Sequence, residues 1–353
     1  MKKHSRPTIF DLVDHTGISR GSISRAFNNQ AGIKPSTKEK ILRAAREIGY
    51  IPHNGARMMK LGRTSRWAIL VPHLRNPYYA ELVEALNHEA EKIGVTLLVG
   101  ISNNDKKREA ELILQWTAGE VDGLVLDQSH FHDNPTMFEQ LKARGIAMVF
   151  LHGNPIPGFD FVRYDLFESV SRVMTHYRAL GHTRIGYAAQ NFPACRKTSR
   201  FLAYSGLAAA KGEKADEALI YFGEDGAEGG TSAFRKWAAL RDPPTAVFCA
   251  DDIIACGVMH AARAAGWSIP QDLSVAGVDD IAEGVRAGLT TVRTIRAQTA
   301  KAICELLELR REDFDRGTEV RSIPAELILR DSVARPRHDS RKTQSSTPRV
   351  APL

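Results

Sequence analysis

The chain has 353 residues, 43% of them hydrophobic and 25% charged, with a formal net charge of +7. That is ordinary globular composition, long enough for two or three domains with cores of their own. No apolar run approaches the ~20 residues of a membrane-spanning helix, and Asp11 and Asp14 interrupt any leader core behind the basic start, so the cytoplasm is the expected compartment.

The charge is unevenly placed. Residues 1–63 carry 13 Lys and Arg against 4 Asp and Glu, a net +9. The tail 335–353 adds +4, which leaves −6 for the body between them. A basic module on a mildly acidic body suits a polyanion partner, although a solvated basic face has the same composition. Cys195, Cys249, Cys256 and Cys304 are scattered without a C-x-x-C pair and read as free thiols.

Apolar residues at helical spacing predict a first helix on Ile9, Leu12 and Val13, with Thr8 as N-cap and Asp11 three residues on. Gly17 breaks the run. A second helix follows, capped by Ser19 and packed on Ile23, Ala26 and Phe27. A third is expected from Ser36, with Glu39 completing a capping box, and with Ile41, Ala45 and Ile48 buried. Pro52 ends it.

From Arg66 the texture changes. Strands are expected at 67–71, 95–99, 121–126, 146–151, 184–189, 218–222, 245–249 and 273–278. Helices are expected at 78–93, 106–118, 135–144, 166–180, 197–211, 229–240, 252–265 and 298–312. Strict alternation argues for parallel sheets covered by helices, and the count argues for two lobes. The tail 335–353 is polar and expected to be disordered.

The string Gly17-Ile18-Ser19-Arg20-Gly21 has the letters of a hydrolase nucleophile elbow. An elbow joins a strand to a helix, whereas the segment before Ser19 has helical period. A helix–turn–helix fits better. If Ile23, Ala26 and Phe27 face inward, then Arg20, Gly21, Ser22, Ser24, Arg25 and Asn28 form the opposite face. Arg can bond a guanine edge in bidentate fashion, Asn an adenine, and Ser either. A polar face on a generic three-helix bundle is the alternative.

Longer motifs join this one: T-I-F-D-L-V-D-H-T-G-I-S, S-I-S-R-A-F-N, and K-E-K-I-L-R-A-A-R-E-I-G-Y-I-P-H-N-G-A-R. In the body come Asn76-Pro77-Tyr78-Tyr79, Val121-Asp122-Gly123-Leu124, Ala179-Leu180-Gly181-His182, Ala250-Asp251-Asp252 and Ser274-Val275-Ala276-Gly277-Val278-Asp279-Asp280. Over about residues 6–330 the chain resembles the lactose-repressor (LacI) type of bacterial transcription regulators. The resemblance implies an all-α headpiece (1–51), a hinge helix (52–63) and a periplasmic-binding-protein-like α/β core (64–334). The core has two doubly wound parallel-sheet lobes: about 64–162 with 294–323, and about 163–293 with 324–334.

It further implies that the second helix enters the major groove through Ser19, Arg20, Gly21, Ser22, Ser24, Arg25 and Asn28. Thr8, Thr37 and Tyr50 match phosphate-contacting positions, which hold register without reading sequence. In the hinge, Ala56 and Arg57 fit the pattern. Met59 stands where a leucine usually wedges into the minor groove, and His53 where an asparagine is usual. Gly55 costs a helix ~0.5–1 kcal/mol relative to Ala, so the hinge is expected to order less readily.

Ligands of open α/β sheets sit beyond the carboxyl ends of the strands. Those ends carry His73, Arg75, Asn76, Asp127, Gln128, His152, Gln190, Asn191, Asp251 and Asp279. Some are ordinary caps; Asp251 or Asp279 could cap a following helix. The resemblance adds Arg200 as the effector-holding arginine and places Asp251, commonly Asn in the family, and Asp279 in the pocket. Carboxylates accepting from hydroxyls suit a sugar or polyol, with Tyr78, Tyr79 or Phe131 stacking on it. A nucleobase or an anionic metabolite is the alternative, and Arg75, Arg163 and Arg196 would favour an anion. His130, His132 and Asp133 read as polar loop rather than metal site.

No P-loop, H-E-x-x-H or dinucleotide fingerprint occurs; Gly223, Gly226 and Gly229 follow a strand at the wrong spacing. No enzyme, cofactor or metal is therefore expected. A sugar-binding protein without regulatory role shares the two-lobed fold but would lack the basic module. The expected partners are a pseudo-palindromic duplex operator, a small effector and a second copy of the chain, with no membrane. The tail lacks the apolar heptads of a tetramerising helix, so a homodimer is expected.

Overall fold

The structure is a computed structural model describing residues 7–27, 31–51, 64–127, 134–192, 194–209 and 214–337, with the side chains of 207–209 outside it. Two compact units divide at Thr64 and Ser65.

Among its described residues the first unit holds three helices, Ile9–Thr16, Arg20–Phe27 and Pro35–Ile48. The first has a full capping box: Asp11 N–H donates to Thr8 Oγ1, and Thr8 N–H donates back to the Asp11 carboxylate. Gly17 stops it in the left-handed region at φ 67°, a conformation that side chains with a Cβ disfavour. Ser19 Oγ accepts from Ser22 N–H at 3.3 Å and so caps the second helix. The third helix departs from the expected start. It begins at Pro35, with Lys34 as N-cap and no side-chain cap bond, so the Ser36–Glu39 box does not form. Proline's fixed φ and missing N–H suit the first helical position, and that displaces the cap by two residues. Leu12, Ile23, Ala26, Ile41, Ala44 and Ala45 make the small core.

Among its described residues the second unit contains twelve strands. In chain order the first five are β1 (Arg66–Val71), β2 (Thr96–Ile101), β3 (Gly123–Asp127), β4 (Ala147–Leu151) and β5 (Asp160–Tyr164). Next come β6 (Ile185–Gln190), β7 (Ile220–Gly223), β8 (Ala246–Cys249), β9 (Ser274–Asp279) and β10 (Thr290–Thr294). The last two are β11 (Val320–Ile323) and β12 (Ala325–Ile328). They form two six-stranded sheets, ordered β11-β5-β4-β3-β1-β2 and β12-β10-β9-β8-β6-β7. All pairs are parallel except β10 with β12. The central strands are buried along their length, as in β4, because helices cover both faces of such sheets.

The chain crosses between the sheets three times: from β5 to β6 through helix Leu166–Leu180, from β10 to β11 through helix Arg296–Glu312, and from β11 directly to β12. Strands β5, β10, β11 and β12 are absent from the sequence expectation. Helix Gly226–Ala238 begins three residues before its expected start, because Asp225 Oδ1 accepts from Gly226 N–H and caps it there. Gly229, in the glycine string, packs tightly: a Cβ there would lie 2.0 Å from the Glu224 carbonyl.

Candidate functional site

In the first unit, helix Arg20–Phe27 buries Ile23 and Ala26 and exposes Arg20, Gly21 and Arg25. Ser22 and Ser24 are half-buried at its flank. Ser19 Oγ donates to Ser22 Oγ at 3.1 Å, and the Arg25 guanidinium approaches the same oxygen at 3.4 Å. Ser19 thus joins two helices rather than a strand and a helix, which removes the nucleophile-elbow geometry. Thr8 is exposed but engaged, donating to Asp11 Oδ2 at 2.8 Å. Thr37 and Tyr50 are half-buried, and the Tyr50 ring packs edge-on against Phe27. Asn28, His53, Ala56, Arg57 and Met59 lie outside the described residues.

In the second unit, strand order reverses at β1, flanked by β2 and β3, and at β6, flanked by β7 and β8. Ligand clefts of doubly wound sheets open at such switch points. The groups gathered there come from both sheets. His73 follows β1 and is buried; its Nε2 lies 2.6 Å from Asp225 Oδ2 after β7, so the pair ties one lobe to the other. Asp127, ending β3, lies 2.8 Å from His152 Nδ1. His152 Nε2 lies 2.6 Å from Tyr78 Oη. Tyr78 Oη continues to Tyr164 at 3.2 Å, and Thr299 closes the chain 2.9 Å from the Tyr164 hydroxyl. Burial, followed by Tyr164 and Asp279, drives the Tyr78 phenol well above its ordinary range, so this buried chain is held with the phenol neutral.

Tyr79 marks the centre of the cleft. Burial raises its phenol most, then the carboxylates Asp127, Asp279 and Asp225, while Arg200 opposes them. Its ring meets His73 edge-on at 5.7 Å. Asp251 caps helix Asp252–Ala264, Oδ1 accepting from Ile254 N–H at 2.8 Å. Desolvation pushes its carboxyl up to about 7 against that cap bond; Asp279 and Asp225 add to the rise and Arg200 opposes it. Asp279 is buried at φ 112° and accepts from Thr294 Oγ1 at 3.3 Å.

The cleft therefore gathers His73, Tyr79, Asp127, His152, Arg200, Asp251 and Asp279 from the sequence expectation. It does not gather three others. Asn76 is the N-cap of helix Pro77–Lys92, its Oδ1 bonded to Tyr78 N–H. Arg75 is exposed. Arg163 is exposed within β5 and donates to Ser322 on β11 at 3.0 Å. It sits next to Tyr164 at the carboxyl end of β5, with its side chain turned to the edge strand. Arg196, considered as an anion ligand, is exposed in a bidentate pair with Glu217. Asp225 is the residue that sequence reasoning missed; in the string Gly223-Glu224-Asp225-Gly226 it reads as a turn. Gln128, Phe131, His130, His132 and Asp133 lie outside the described residues. Among the described residues no three metal-ligating side chains gather.

Residues 174–333 match the model of the periplasmic binding protein-like domain. The HTH-type transcriptional regulator DegA of Bacillus subtilis (strain 168) is 28% identical over 291 residues, covering 81% of this chain and 86% of that one. The chain is thus similar to HTH-type transcriptional regulators. Two solved structures match its fold over most of its length. One is the lac repressor dimer bound to operator and the anti-inducer ONPF, with a TM-score of 0.76 at 20% identity over 94% of this chain and all of that one. The other is the transcriptional regulator CelR–cellobiose complex, with a TM-score of 0.68 at 24% identity over 93% of this chain and all of that one. The relatives it matches are transcriptional regulators, and its own core is periplasmic-binding-protein-like, with two α/β lobes.

Proposed function

We propose that this regulator is a repressor that binds a pseudo-palindromic operator as a homodimer in the cytoplasm, and that a small hydroxyl-rich effector between the core lobes controls it. The observation that carries the DNA reading is helix Arg20–Phe27, one face sealed by Ile23 and Ala26 and the other exposing Arg20, Gly21 and Arg25. Arg20 and Arg25 read base edges, the serines supplement them, and Thr8, Thr37 and Tyr50 hold the phosphates. Residues 52–63 serve as the hinge.

The effector reading rests on the acceptors that line the cleft. Asp127, Asp251 and Asp279 suit hydroxyl donors, and Tyr79 offers a ring face. Arg163 and Arg196 are engaged with Ser322 and Glu217, which leaves them less free to hold an anionic metabolite. The cellobiose found with CelR is consistent with this reading.

The test is selection of bound sequences from a random duplex library by purified full-length protein, without effector and with a pool of neutral sugars. Enrichment of a two-half-site palindrome that the pool abolishes supports an induced repressor. Enrichment only with the pool reverses the sign of control, and binding that depends on salt but not on sequence removes the specific reading.

A further inference from the structure

The chain enters the core at a residue that is held from two sides. Ser65 is the first residue of the second unit, and residues 52–63, proposed above as the hinge, come just before it in sequence. Its backbone lies in the left-handed region at φ 53°. That region is uncommon for a residue with a Cβ, and it persists only where the surroundings over-determine it. Here they do. Ser65 N–H donates to Asp122 Oδ2 at 2.7 Å, and Ser65 C=O accepts from Thr96 N–H at 3.0 Å. Asp122 is fixed in turn. Its N–H donates to the Arg66 carbonyl at 2.9 Å, and its own carbonyl accepts from Ala147 N–H at 3.2 Å. The clamp sits where β1, β2 and β3 begin, the end of the sheet opposite the cleft. Its backbone bonds continue the sheet; the bond from Ser65 N–H depends on the Asp122 side chain.

A dimer that reads two half-sites must present two headpieces at a set spacing. With Ser65 fixed, the hinge leaves the core from a defined point. With Ser65 free, its ordering is added to the cost of binding, once in each copy. That loss falls on binding that engages both headpieces together, and not on the attraction of one headpiece for phosphates. We propose that Asp122 is a positioning residue for operator binding, its carboxylate fixing Ser65 and with it the point from which the hinge leaves the core. The proposal rests on the dimeric-operator reading above and goes beyond it.

The test is competition binding of the full-length protein, at one salt concentration, to the operator that the wild type selects and to a scrambled duplex of the same length, with a melting curve for each variant. Asp122→Ala is expected to bind the operator at least about tenfold more weakly, with affinity for the scrambled duplex and the melting temperature little changed. Ser65→Pro removes the same bond from the donor side and is expected to lose operator affinity alike. Asp122→Asn keeps an oxygen that accepts from Ser65 N–H and is expected to stay within about threefold of the wild type. Operator affinity unchanged in Asp122→Ala overturns the proposal. So does an Asn variant as weak as the Ala variant, since charge rather than position then matters. Operator and scrambled affinities that fall together with the melting temperature assign Asp122 a structural role alone and overturn it as well. A wild type that selects no operator overturns the operator reading and the proposal together, and that result is visible before any variant is made.

Discussion

Asp251 serves two demands that oppose each other. Its cap bond to Ile254 favours the charged form, while burial beside Asp279 and Asp225 favours the protonated one, and burial prevails. The linkage follows in sign. Folding raises this pKa from 3.8 to about 7, so the folded chain holds a proton the unfolded chain has released. The resulting stabilisation is present in acid and is lost as pH rises through that window. Asp251→Asn keeps the cap and removes the charge. Between pH 5 and 8 the wild type is therefore expected to lose about 5–10 °C more in melting temperature than the variant, the shift that ~2–3 kcal/mol gives a domain of this size. Parallel thermal shift series for the two proteins check it; equal slopes exclude it. At this scale the sequence was partly legible. Asp251 and Asp279 follow recognisable strands. Asp225 was hidden because its partner His73 lies 152 residues away, and no local pattern encodes such a contact.

Elements were legible where they are continuous apolar runs or regular helices, and illegible where polarity is satisfied by distant partners. Strand β10 reads Thr-Thr-Val-Arg-Thr, yet Thr290, Thr291 and Thr294 are buried. Thr291 donates to Asp252 Oδ1 at 2.6 Å, and Ser332 Oγ accepts from Thr290 N–H at 2.7 Å. Strand β5 opens on the fully buried Asp160, held by both Arg310 and Arg316 and by Glu319 N–H. This cluster fastens the end of helix Arg296–Glu312 to the edge of the first sheet. Asp160→Ala leaves Arg310 buried without its counter-charge and is expected to cost ~3–5 kcal/mol, read as a lower urea midpoint. Where helices Gly226–Ala238 and Asp252–Ala264 cross, a Cβ on Gly230 would lie 2.1 Å from the Ile254 carbonyl, and one on Gly257 2.2 Å from that of Ala227. Backbone cannot yield as a flexible side chain does, so Gly230→Ala is expected to cost ~1–3 kcal/mol or more. Unchanged chemical unfolding would show that the helices can part.

For the whole molecule, the proposed regulation is a linkage between two ligands. Whatever factor the effector applies to operator affinity, the operator must apply to effector affinity, and paired titrations with and without operator duplex are expected to give the same factor. Arg25→Ala is expected to cost ~1–3 kcal/mol on the selected operator and to relax preference at the base it reads, whereas loss of a phosphate contact weakens all sequences alike. Competition binding against single-base operator variants separates the two. The three crossings between sheets bear on synthesis as well. The first sheet has five of its strands by Tyr164, but β11 and helix Arg296–Glu312 come about 160 residues later in the chain. At ~5–20 residues per second, that sheet waits roughly 10–30 s on the ribosome with the edge of β5 unpaired and Asp160 without its arginines. For that interval the nascent chain presents a bare strand edge that the finished protein covers with β11.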